Sequence, residues 1–94
     1  MARIFDFPFW MRIIRYLNRY DADVFESQVA KELDITYSHT AKVVMLFYHD
    51  GLVEFRAVGR TKFILLTPKG KVLAELVDKL MSNRDVPVKI QRGV

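Results

Sequence analysis

Phe9, Trp10, Ile13, Ile14 and Leu17 recur at the three- and four-residue spacing of one helical face, and Asp6 followed by Pro8 is a helix-start signal just ahead of them. The pattern predicts a first helix from about Phe7 to Tyr20. Its opposite side carries Arg12, Arg15 and Arg19, which stack together and read as a solvated face. Asp21-Ala22-Asp23 interrupts the periodicity, Val24-Phe25 is a short β-prone pair, and Ser27 to Leu33 resumes helical spacing with Val29, Ala30 and Leu33 inward. A short second helix, roughly Glu26 to Leu33, is expected there. Asp34-Ile35 then turns the chain, and Thr36 or Ser38 can accept the unpaired N–H groups that open a third helix over about Thr36 to Asp50.

Gly51 stands where a helix closes in a left-handed residue, and Leu52 to Val58 beyond it is β-prone with partial alternation. Gly59-Arg60 makes a tight turn, and Thr61 to Leu66 completes a hairpin. Thr67-Pro68 is an N-cap and first-turn pair for a last helix that should reach about Ser82. Its apolar residues Val72, Leu73, Leu76, Val77, Leu80 and Met81 form a stripe broader than one small domain can cover, so a partner helix is expected against it. From Asn83 to Val94, Arg84, Lys89 and Arg92 alternate with Val86, Val88 and Ile90 around Pro87, which reads as either a flexible basic tail or an edge strand. The predicted class is α+β, with one domain over 1–82 and the tail over 83–94.

Composition narrows the function. A chain of 94 residues that is 51% hydrophobic can build one core and has too little length for two. A net charge of +4 favours a polyanionic partner, nucleic acid or an anionic membrane surface. The absence of cysteine excludes disulfides, thiolate metal sites and a cysteine nucleophile, and fits a cytoplasmic address. No apolar run approaches the roughly 18 residues of a membrane-spanning helix, and no signal-peptide pattern opens the chain, so no membrane partner is expected. Phosphate loops, zinc-binding H-E-x-x-H helices and paired-carboxylate clefts are missing, and Ser38 and His39, as neighbours on a helix, diverge by about 100°. Neither catalysis nor a cofactor nor a metal is expected. Asparagine and glutamine are scarce, two each, which is compatible with an archaeal or viral source from a hot environment.

The element order places two helices a few residues apart ahead of a hairpin, the arrangement of a helix-turn-helix followed by a wing. The run Ser27-Gln28-Val29-Ala30-Lys31-Glu32-Leu33-Asp34-Ile35-Thr36 resembles the "S-E-L-A-x-x-L-x-I-S" pattern of the MarR and ArsR families of bacterial and archaeal regulators. Gly51-Leu52-Val53 is similar to their "G-L-V" entry into the wing, and Leu66-Thr67-Pro68-Lys69-Gly70 to the "L-T-x-K-G" motif that leaves it. Arg12-Ile13-Ile14-Arg15-Tyr16-Leu17 after Asp6-Phe7-Pro8 resembles the opening of ArsR-like proteins. The likeness covers about Asp6 to Leu80, and its strength is the order of several individually weak motifs. Metal sensing is not carried over, because the only histidines, His39 and His49, stand apart and there is no cysteine.

The resemblance implies a winged helix-turn-helix acting on double-stranded DNA as a homodimeric transcriptional regulator. With Thr40, Val43, Val44 and Phe47 inward, helical geometry leaves Ser38, Lys42, Met45 and His49 outward, with His39, Ala41 and Leu46 beside them. Tyr37, Ser38, His39, Ala41, Lys42 and Met45 are therefore the candidate base-facing residues, while His49, close to the helix end, suits a C-terminal charge partner. Phe55 to Ala74 contains no acid, so Arg56, Arg60 and Lys62 on the hairpin suit phosphates or the minor groove, with Lys69 and Lys71 following. Trp10, Leu73, Leu76, Val77, Leu80 and Met81 are the candidate dimer contacts. Met45 and Leu46 are apolar where the resembled families carry charge, which keeps open a protein-interaction module and, third, a non-specific nucleic-acid or chromatin binder. Sequence alone names no operator or small-molecule effector.

Overall fold

A computed structural model describes residues 7–20 and 24–82. Seven elements follow one another: α1 (Phe9–Arg19), β1 (Val24–Phe25), α2 (Glu26–Leu33), α3 (Tyr37–His49), β2 (Val53–Val58), β3 (Thr61–Leu66) and α4 (Pro68–Ser82). Asp6, the break at Asp21 to Asp23 and the tail 83–94 lie outside the described residues.

Local chemistry fixes most boundaries. Asp34 closes α2 in the left-handed region at φ 56°, and the Ile35 N–H donates to the Ala30 carbonyl at 3.0 Å. Thr36 caps α3, its Oγ1 accepting from the His39 N–H at 3.1 Å, so the chain turns sharply between the two helices. Thr67 does the same for α4, accepting from the Gly70 N–H at 3.0 Å. Gly51 and Gly59 adopt φ of 75° and 62°, values that other residues rarely take.

The hairpin was expected to have two strands, and the structure adds a third. The sheet is antiparallel in the order β1-β3-β2, with Val24 opposite Ile64 and Phe25 opposite Phe63. β3 would otherwise present an unpaired edge, and pairing with β1 buries Val24 and Ile64 in the core.

Ile13, Ile14 and Leu17 of α1, Val29 of α2, Val44 and Phe47 of α3, Val53 and Ile64 of the sheet, and Ala74, Val77 and Met81 of α4 make one core. Burial on α1 reaches Met11 and Tyr16 as well and covers more than half its circumference. Phe9 and Trp10 lie within that arc but in the first turn, and each remains 39% exposed. On α4 the buried residues are Gly70, Ala74, Val77 and Met81. Val77 and Met81, expected at a dimer interface, are thus committed to the chain's own core, and Leu73 packs against it. What remains outward is Val72, Leu76 and Leu80, on an adjacent strip of the same helix.

Arg15 also departs from expectation. Its Nε donates to Asp78 Oδ1 at 2.9 Å, with Arg19 Nη2 at 4.0 Å from the same oxygen, so part of the presumed solvated face clasps α1 to α4. Because the Arg15 side chain is only 16% exposed, Asp78→Asn should lower stability by about 1 kcal/mol in urea unfolding. A midpoint unchanged from wild type would show the clasp to be energetically neutral.

Candidate nucleic-acid interface

α3 presents three flanks. Thr40, Val44 and Phe47 are buried, and the Thr40 hydroxyl donates to the Thr36 carbonyl at 3.0 Å, so its burial leaves no polar group unsatisfied. Ser38, Lys42, Met45 and His49 occupy the opposite, exposed front, with Ala41 half-buried beside them. Residues flanking this front turn to either side.

On one flank the His39 ring meets Phe9 edge-on at a centroid distance of 5.1 Å. Phe9, Trp10, His39, Leu46 and Leu73 are among the residues lining an apolar groove of about 550 Å³ between α1, α3 and α4. Leu46 is 59% exposed there, so the apolar departure noted in the sequence is a real surface feature. On the other flank Tyr37, first residue of α3, donates its hydroxyl to Glu26 Oε1 at 3.0 Å. That hydrogen bond, reinforced by the carboxylate charge, raises the Tyr37 pKa above the ordinary phenol value and keeps the proton in place.

The hairpin brings its cations beside this second flank. Arg60 stands at the tip, where the left-handed Gly59 turns the chain between Val58 and Thr61. Lys62 lies over the Phe55 ring at 4.3 Å, and Tyr48 of α3 stacks on the same ring at 5.1 Å. Tyr37, Glu26, Ser27, Arg60, Thr61 and Lys62 border a groove of about 450 Å³ between the helix-turn-helix and the wing tip. Arg56 sits on the other face of the hairpin, over Phe63 at 5.6 Å, because successive strand residues alternate. Lys69 is tied to the end of α3, its Nζ donating to the Asp50 carbonyl at 2.9 Å.

Glu26, Ser27 and Thr61 were not expected at this surface. Glu26 and Tyr37 each open a helix, and no periodic pattern pairs positions that meet only through the turn between α2 and α3. Thr61 and Ser27 are exposed hydroxyls with no distinguishing neighbours in sequence. Among the described residues no group of three His, Asp or Glu side chains is arranged to hold a metal, and no helix is long and apolar enough to cross a membrane.

Neither a protein-family model nor a curated protein matches the chain. Solved structures do. AF1382 from Archaeoglobus fulgidus superposes with a TM-score of 0.69 at 25% identity, over 78% of this chain and 84% of its own. MepR of Staphylococcus aureus, a transcription regulator of the multidrug efflux pump MepA, gives a TM-score of 0.77 at 19% identity over 87% of this chain. FabT of Streptococcus pneumoniae, solved in complex with DNA, gives 0.72 at 25% identity over 90%. The present chain spans 62% of the MepR chain and 59% of the FabT chain. The shared architecture is that of a winged helix-turn-helix domain, and MarR of Oenococcus oeni, a transcription regulator, superposes likewise with a TM-score of 0.71 at 23% identity over 83% of this chain.

Proposed function

We propose that this chain binds double-stranded DNA sequence-specifically as a dimeric transcriptional regulator, with α3 in the major groove and the β2–β3 wing on phosphates or in the minor groove. One observation carries the reading: α3 exposes a front bearing Ser38 and Lys42, and Tyr37 at its leading end shares a groove with the cationic wing tip, Arg60 and Lys62. A major groove about 12 Å wide admits one helix, and an adjacent basic hairpin then falls on the neighbouring backbone. The DNA complex of FabT and the regulator MepR support the same reading. The role is one of binding in the cytoplasm, without catalysis or a cofactor.

Anisotropy titrations with duplexes selected from a random library should give at least a hundredfold preference over scrambled duplex, and Lys42→Ala should weaken the selected site about tenfold. Equal affinity for both duplexes would indicate a non-specific binder. Absence of duplex binding at low salt would sink the proposal and favour the protein-interaction reading, for which the groove lined by Phe9, Trp10 and Leu46 is the specific surface.

Dimerisation would use the outward strip of α4 together with Trp10. Val72, Leu76 and Leu80 are each more than half exposed, so charge there perturbs association without entering the core. Sedimentation of Leu76→Asp/Leu80→Asp should show a folded monomer where the wild type runs as a dimer, with a thermal midpoint that no longer rises with protein concentration. A wild-type monomer at micromolar concentration contradicts this part of the proposal.

A further inference from the structure

The phenol of Tyr37 has one proton, and the Glu26 carboxylate holds it at 3.0 Å. A carboxylate only accepts, so the direction of this bond is settled by chemistry. What Tyr37 has left to offer is oxygen lone pairs, and the side chain is 56% exposed at the leading end of α3. A phosphate oxygen is itself an acceptor and cannot use them. The negative charge of Glu26, at the floor of the same groove, opposes a phosphate further. Groups that can use an acceptor there are the exocyclic amino groups of adenine and cytosine, which point into the major groove.

We infer that Tyr37 is a base-reading acceptor for an adenine or cytosine amino group, and that Glu26 is the positioning residue that fixes it in that role by holding its proton. The inference rests on the DNA-binding reading and gives it one specificity determinant. It divides the labour on this flank: Arg60 and Lys62 meet the backbone, and Tyr37 meets a base edge.

Every base pair carries one amino group in the major groove, so removing that group is more informative than changing the base. The full chain is titrated with its selected duplex, in which each adenine is replaced in turn by purine and each cytosine by its 4-deamino analogue. One such replacement should weaken wild type about fivefold, the worth of one hydrogen bond. Tyr37→Phe should already be weakened by that factor and be indifferent to the same replacement. Glu26→Met, which keeps length but cannot accept, should be indifferent too, whereas Glu26→Gln, whose amide oxygen still accepts, should keep the sensitivity. In none of these variants should the slope of log K against log salt change. The inference is overturned if duplex binds tightly yet no amino-group removal couples to Tyr37, or if Tyr37→Phe lowers the salt slope, which would make the phenol a phosphate contact. Failure of the wild type to bind any duplex removes the parent reading, a result easily told apart from these.

Discussion

Gly70→Ala should destabilise the domain by about 3 kcal/mol, enough to lower its thermal midpoint by roughly 12–24 °C. The residue is helical, with no unusual backbone angle, and the demand on it is spatial. A Cβ built there overlaps the carbonyl oxygen of Leu52 and falls 2.9 Å from its carbonyl carbon and 3.1 Å from Leu66 Cδ2. Two of those atoms are backbone and cannot rotate aside. The Leu52 carbonyl also accepts the Thr67 N–H at 3.0 Å, and the Thr67 hydroxyl donates to the Gly51 carbonyl at 2.6 Å. Moving α4 outward to admit a methyl group would therefore loosen the bonds that seat it on the turn after α3. By contrast, Gly51→Ala and Gly59→Ala meet no atom within 4 Å and bear only the left-handed penalty, about 1 kcal/mol each. Circular dichroism melts of the three variants check the ranking, and a Gly70→Ala midpoint within a few degrees of wild type would show that the close approach relaxes.

That ranking is also a measure of what sequence discloses. Helical periodicity and caps are local, so α2 from Glu26, a cap at Thr36 or Ser38 ahead of α3 and the Thr67-Pro68 start of α4 were legible, and the structure selects Thr36. Gly70 was legible as part of a motif but not as a point of backbone contact, because Leu52 approaches it only through the tertiary fold. The same reason hid the pairing of Val24 with Ile64, the Arg15–Asp78 clasp and the Lys69 bond to Asp50, each joining segments far apart in the chain. On α4, periodicity identified six apolar positions and could not divide them. Val77 and Met81 face the core while Leu76 and Leu80 do not, because the helix orientation is set by where Gly70 and Ala74 must sit. At the candidate interface, Ser38 and Lys42 were readable from helical phase alone, whereas the tie between Tyr37 and Glu26 needed the turn geometry.

Neutralising the wing tip should produce the largest change in affinity. If Arg60 and Lys62 each neutralise a phosphate, Arg60→Gln/Lys62→Gln lowers the slope of log K against log salt by between one and two units for each protomer on the duplex, since each contact contributes about 0.9. From a common value at 1 M salt, two lost contacts correspond to roughly a thirtyfold weaker site near 0.15 M salt. The two residues should not share this equally. Arg60 projects from the turn, whereas Lys62 already lies over the Phe55 ring at 4.3 Å and must leave or extend past it to reach a phosphate. Arg60→Gln alone is thus expected to remove close to one unit and Lys62→Gln less. Arg56 supplies the internal comparison, for it lies over Phe63 on the face of the hairpin away from Lys62. Arg56→Gln should shift the slope by less than about half a unit. A shift as large as that of the tip pair would mean that the hairpin meets the duplex with its other face, and an unchanged slope in the double variant would remove the wing from the contact surface.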